Sequence, residues 1–455
     1  MSELAFEYLL AALESARGTP AANPTHYLNL AGSITPKKER YRPPHSDGTL
    51  AEYRRSIDVR RWSEWEAEGA LDVYTFPLIA NTLICGGVDG SGATQATLTV
   101  DPEGDDNALD YEAVTGGSAG NTISVEYIDP GVAYSPLEVD VAGRAIRIYL
   151  ATDVDGDITS TASDIAGAIA AHPVASTLVT VADHGTDDGS GPVTAMGATY
   201  LSGGAGASVI TPPDAVLTRL WTFEPNMRAD DLQAMTLWWG DPNVQAFRSA
   251  FCMPDELTIS ADASGTDGVT LSLSGQGQFP TKDAPGSVPA PLSGPLLLPG
   301  ALELWIDDTS AIGTTPVTGR VVSAEVKIPL GGTRKWLAAG PANGLGFQAL
   351  GRAKRHIDVT LVLEVPDLTQ YDQWVAETVL KARVRFNGPA IETVGDPSVT
   401  YYHFVEVDVY GPFDGMDWGE HEGTNRTVEL TTLSEYDESA GYDWCVRVQN
   451  DRNAL

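Results

Sequence analysis

The chain has 455 residues, 42% of them hydrophobic, and a formal net charge of −34. That charge argues against a tight grip on nucleic acid or anionic membranes, whose phosphates need Lys and Arg partners, though not against DNA sliding past a repelling wall. The three cysteines, Cys85, Cys252 and Cys445, are far apart and odd in number, which supports neither a disulfide framework nor a zinc site.

The length allows two or three domains, and 46 Gly and 29 Pro punctuate Val- and Thr-rich runs that favour strands over long helices. The opening MSELAFEYLLAALESARGTP has no basic segment ahead of its apolar residues and is not a signal peptide. No run approaches the roughly 18 apolar residues of a membrane span, so a cytoplasmic origin with free thiols is expected. Residues 35–66, TPKKERYRPPHSDGTLAEYRRSIDVRRWSEWE, are polar and rich in both charge signs, with aromatic residues interspersed. A structureless loop this long is usually functional, and arginine among aromatics is the composition of binding hot spots. It reads either as a solvated surface loop or as an arm that packs on a neighbouring subunit.

Residues 96–206 hold 17 acids against two bases, and Gly/Ser-rich joints flank them, GGVDGSGA at 86–93 and SGGAGAS at 202–208. This predicts an acidic domain of 96–206 inserted into a host formed by 1–95 and 207–455. The insert reads as a small α+β unit with strands at LDYEAVT, NTISVEYI, LEVDV, AIRIYLA and STLVTVAD. A helix at about 162–171 follows from the Thr161/Asp164 capping pattern and the apolar face of Ile165, Ala168 and Ile169, with His172-Pro173 as its stop. Just before it, DVDGDITSTASD (153–164) places Asp153, Asp155 and Asp157 around Gly156. An EF-hand would put the glycine after the third acid and Glu at position twelve, so a turn plus a helix cap is preferred to a calcium loop.

Beyond the insert, ELTISADAS, GVTLSLSGQGQF, ALELWID, RVVSAEVKIPL, HIDVTLVLEV and TYYHFVEVDVYGPF all read as strands, while 367–384 fits a helix. No catalytic constellation emerges. The seven histidines are scattered without HExxH, and GxSxG and phosphate-loop motifs are absent. DWGEHEG around His421 reads as an exposed acidic loop.

The segment ESARGTPAANPTHYLNLAGSITPKKE resembles the opening of long-tailed bacteriophage tail tube proteins. WSEWEAEGALDVYTFPLIANTLICGG, RLWTFEPNMRADDLQAMTLWWGDPN and DELTISADASGTDGVTLSLSGQG are similar to successive passages of that family. Within the insert, GGSAGNTISVEYIDPG and the stretch after it resemble a module that recurs in phage and prophage virion proteins. The resemblance implies a β-sandwich or barrel subunit with a long loop arm. Such subunits build hexameric rings that stack into a tube for genomic DNA, and the family is structural, with no enzymatic activity and no cofactor. It also implies partners in other copies, in tape-measure and tail-end proteins, and a place in the virion tail. Arg54, Arg55, Arg60, Arg61, Trp62 and Trp65 become the candidate subunit contacts, and the insert, a candidate for contact with the host surface, is expected to project outward. The alternative is a virion-borne or surface adhesin or carbohydrate-binding β protein, with calcium in the acidic insert.

Overall fold

The computed structural model describes residues 8–452 apart from 43–55, 82–83, 85–93, 103, 105, 213, 226–233, 242–244, 309–310, 330–331, 338–344, 353–355, 366–367, 396–397, 423–424 and 439. Strands account for 53% and helices for 9%, so the protein is mainly β as expected, and among the described residues none of its sheets closes on itself.

Two large hydrophobic cores share no residue. One runs from Ala96 to Leu201. The other draws on the chain before and after that span, from Leu9 to Ile84 and from Ala207 to Val448. The smaller core lies among a three-stranded sheet (Val179–Asp183, Leu109–Ala113, Thr97–Val100) and a four-stranded one (Met196–Tyr200, Ser124–Ile128, Ala145–Tyr149, Glu138–Ala142). At its centre the hydroxyls of buried Tyr111 and Tyr127 meet at 2.5 Å.

The helix Ala162–Ala171 buries Ala162, Ile165 and Ile169 in this core. Its first turn carries the expected capping box: the Asp164 amide donates to Thr161 Oγ1 (3.2 Å), and the Thr161 amide donates to the Asp164 carboxylate (3.0 Å). In the corner before it Gly156 has φ +86°, and Asp153 Oδ1 accepts from the amides of Asp155 (2.9 Å) and Asp157 (3.0 Å). Asp153 thus closes the turn.

The larger core is the filling of a sandwich. One side is a six-stranded sheet ordered Ser208–Ile210, Arg219–Phe223, Trp444–Asn450, Val399–Gly411, Leu380–Val394, Leu302–Asp307. Its Phe223, Val384, Val405, Val407, Val446 and Val448 point inward. The other side is a twelve-stranded assembly, whose Leu257, Ile259, Leu271, Val326, Val359 and Leu361 face them. Period-two alternation builds both faces, since successive side chains on a strand point to opposite sides.

Four expectations change. Residues 35–66 are not a structureless arm: Ala31–Tyr41 and Ile57–Ala70 pair antiparallel as a long hairpin around residues outside the described set. The helix expected over 367–384 is confined to Thr369–Val375, and Leu380–Val394 is a strand. Leu380, Ala382, Val384 and Phe386 alternate into the core while Lys381, Arg383 and Arg385 stand on the other face, so burial overrides the helical reading. The stretch around His421 lies in the strand Phe413–Glu422 rather than in a loop.

The fourth concerns the glycine joint at 202–208, which is ordered rather than loose. Asn121 Nδ2 donates to the Gly204 carbonyl (2.6 Å) and Asn121 Oδ1 accepts from its amide (2.8 Å). A Cβ at Gly204 would meet the Gly117 carbonyl at 2.5 Å, so close backbone approach requires glycine there. Arg144 fastens the inserted unit to the host, with Nη2 on Glu224 (2.9 Å), Nη1 on the Ala119 carbonyl and Thr122 Oγ1 (both 2.9 Å), and its guanidinium over Tyr442. The other joint, 86–93, lies outside the described residues.

Candidate assembly surface

Within the twelve-stranded assembly, eight strands form a continuous antiparallel row. Their order is Ala31–Tyr41, Ile57–Ala70, Thr270–Gly277, Gln245–Asp262, Val321–Pro329, Asp358–Glu364, Asn425–Leu433 and Phe413–Glu422. The first and last pair with one neighbour each, so among the described residues both ends lack a second strand, and the helix Thr369–Val375 packs on the last one through Tyr371 stacked on Trp418 (6.4 Å). The alternation that sends aliphatic side chains into the core sends hydroxyls and carboxylates out. Registered rows place Glu66 beside Ser274 and Ser274 beside Glu256. A second row runs Thr270, Ser260, Glu325, Thr360, Thr431. Lys327 stands on this face and is paired with Glu256 at 2.9 Å. A depression of about 500 Å³ here is lined by Ser260, Asp262, Asp267, Glu325, Thr360 and Glu429 among others. Among the described residues the face is therefore acidic and hydroxyl-rich, with Val362 beside the acids.

The two open edges differ in charge. Ala31–Tyr41 carries Lys37, Lys38 and Arg40 against Glu39, whereas Phe413–Glu422 carries Asp414, Asp417, Glu420 and Glu422 with no Lys or Arg.

The hairpin brings three of the sequence-predicted contact residues together. Arg334 stacks 4.4 Å over Trp62, Arg60 lies 5.2 Å over Trp336, and the two indoles meet edge-on at 6.1 Å. Arg61 sits over Phe279, and its amide donates to the Leu345 carbonyl (2.7 Å). The arginines already have acidic partners within the chain. Asp58 accepts from Arg61 (2.8 Å) and Arg40 (2.9 Å), hydrogen bonds that hold its carboxyl below the usual range, and Arg60 pairs with Glu39 at 3.1 Å. The Trp62 indole N–H donates to Glu64 (3.0 Å) and, with Lys37, holds that carboxyl low as well.

Trp65 is a core residue, only 4% exposed, with its indole lying where Gly275 leaves room. A Cβ at Gly275 would come within 2.5 Å of that ring. Arg54 and Arg55 lie outside the described residues. The open edges and their opposite charges were not found from sequence, because which strands end a sheet is a matter of topology. Among the described residues no group of three or more His, Cys, Asp or Glu could hold a metal ion, and no helix is long and apolar enough to cross a membrane.

Neither a scan of protein-family models nor a search of curated proteins finds a match to this chain.

Proposed function

We propose that this chain is a self-assembling structural subunit, six to a ring, of a stacked tube that conducts DNA in a phage tail. The observation that carries the reading is the antiparallel row of eight strands with open, oppositely charged ends. An exposed strand edge invites pairing, and pairing with an identical neighbour removes it. Because the row holds an even number of antiparallel strands, the last strand of one copy and the first of the next run in opposite directions. The alternation then continues from copy to copy without a break.

Neighbouring strands rotate by roughly 20–25°, so eight cannot all face one bore. The central strands, with Ser260, Thr270, Glu325 and Thr360, form the wall, and the outer ones turn toward the neighbours. Such a wall repels a phosphate backbone. The inserted unit is fastened at Glu224 and Tyr442, at the margin of the six-stranded sheet and away from the acidic face. That placement supports an outward-facing decoration.

Negative-stain microscopy of the purified chain tests the reading. Rings or tubes of uniform bore are expected. A chain that stays monomeric at every concentration and salt, or a tube map with residues 96–206 inside the channel, defeats it.

A further inference from the structure

On the opposite side of the sandwich, the outward face of the six-stranded sheet carries a cavity of about 810 Å³ whose lining includes Arg383, Arg385 and Arg447. Register explains the convergence. Glu406 stands between Arg385 on one neighbouring strand and Arg447 on the other, and Asp408 stands beside Arg383. The alternate residues Val384, Val405, Val407, Val446 and Val448 face the core.

The two carboxylates are buried, Glu406 at 2% and Asp408 at 0% exposure, and both are saturated. Asp408 accepts from Arg383 Nε (2.7 Å) and Nη2 (2.9 Å) and from Arg447 Nη1. Glu406 accepts from Arg385 Nε (2.7 Å) and Arg447 Nη1 (3.0 Å), with Arg383 Nε 3.2 Å away. Three guanidiniums face two buried carboxylates, so the third positive charge is answered by an ion pair at the rim. The nearest further acid is Glu303, half-exposed at the rim and 3.9 Å from Arg385 Nη1, beyond hydrogen-bond reach.

Each guanidinium carries five N–H donors, and these contacts engage fewer than half of them. Arg385 is held in place by Phe404 (4.6 Å) and Trp305 (5.0 Å) against its plane. A cavity this size falls within the range of small-molecule sites. An oriented, part-desolvated arginine with N–H donors to spare, whose remaining counter-charge is a half-exposed rim acid, is the chemistry that recognises a planar or tetrahedral oxyanion.

We propose that this cavity is an oxyanion site, taking a phosphate or carboxylate group on Arg385 and Arg447. The site stands independently of the tube reading. In a chain of net charge −34 the oxyanion has two sources, a free ion or a carboxylate on a second copy, and the experiment separates them.

The test is calorimetric titration of the whole chain with inorganic phosphate at constant ionic strength, with sodium chloride as the control. Saturable binding is expected. Glu303→Gln removes the rim acid that competes for Arg385, keeps an acceptor for Asn387 Nδ2, leaves the buried Glu406 and Asp408 in place, and should tighten binding about fivefold. Arg385→Lys keeps the charge but loses the two-pronged donor and should weaken binding about tenfold. Sedimentation with and without phosphate assigns the source. Dissociation of oligomers by phosphate identifies a carboxylate from a second copy, and unchanged mass with saturable heat identifies a free ion. No saturable heat in either the wild type or Glu303→Gln overturns the proposal.

Discussion

Reversing the charge of one open edge is the sharpest test of head-to-tail assembly. In Lys37→Glu/Lys38→Glu the strand Ala31–Tyr41 becomes acidic and faces the acidic strand Phe413–Glu422 of the next copy. Both lysines are surface residues: Lys37 pairs with Glu64 at 3.1 Å, Lys38 lies 3.7 Å from Asp58, and their side chains are 42% and 39% exposed. The fold should therefore tolerate the change. Exposed ion pairs contribute about 0.2–1 kcal/mol each, so losing two attractions and gaining two repulsions weakens each intersubunit contact by roughly 1–3 kcal/mol. That is about 5- to 150-fold in the association constant. Sedimentation velocity at low salt should show the variant shifted to smaller species. The deficit should shrink toward 1 M salt, where the screening length falls to about 3 Å. Adding Asp414→Lys/Asp417→Lys leaves that strand with two lysines against Glu420 and Glu422, which removes the like-charge opposition and should recover part of the assembly. Equal assembly of the double variant and wild type at low salt, with melting unchanged, would refute the pairing of these edges, and so would failure of the fourfold variant to recover.

Other outcomes follow from the same structure. Asp408→Asn leaves Arg383 and Arg447 part-buried without their main counter-charge and should lower unfolding free energy by about 3–5 kcal/mol, read from urea denaturation of the host transition. Trp65→Ala should cost about 3–5 kcal/mol as a core truncation, whereas Trp62→Ala, half-buried beside Arg334 and Trp336, should cost clearly less in the same assay. Arg144→Ala should free the inserted unit without unfolding it, giving faster limited proteolysis at the 202–208 joint and two resolved thermal transitions in place of closely coupled ones. Burial raises the pKa of Glu14 above its ordinary 4.5, against hydrogen bonds from Phe251, Thr236 and Gly18. The folded state then holds this proton more tightly than the unfolded chain. The contribution is fully present below the unfolded pKa and is lost as pH rises through the folded value. Stability of the wild type relative to Glu14→Gln should accordingly decline from about pH 4 toward neutrality; a relative gain over that range would contradict the assignment.

The helix Ala162–Ala171 was legible because each of its signals is local. Thr161 and Asp164 sit three apart ahead of an apolar face, and the capping box forms from those two side chains alone. The hairpin was half legible for a physical reason. In SEWEAEGA, Ser63, Trp65 and Ala67 are buried while Glu66 and Glu68 are exposed, so alternation is written in the residues. In IDVRRW the strand has run past the main core, arginines stack on Trp336 and Phe279 where aliphatic side chains would otherwise alternate inward, and the period-two pattern disappears. A loop and a solvated strand then look the same. The helix misread over 367–384 shows the opposite failure, since Tyr371 and Trp374 do lie on a helix but Leu380–Phe386 answers to a sheet that only the tertiary fold supplies. The Arg383, Arg385, Glu406, Asp408 and Arg447 ladder was invisible for the same reason, being assembled across three strands by register.

The edges carry the last step. Lysine on an edge strand ordinarily keeps sheets from pairing, and Lys37 and Lys38 stand on such an edge. Two copies brought together through their Ala31–Tyr41 strands repel, and two copies brought together through their Phe413–Glu422 strands repel more strongly. The pairing without like-charge opposition is the unlike one, first strand to last. A contact between two different patches of identical subunits is heterologous, the kind that propagates around a closed ring instead of stopping at a dimer. Charges that would protect a monomer from aggregation thus select the one mode of association the tube reading requires.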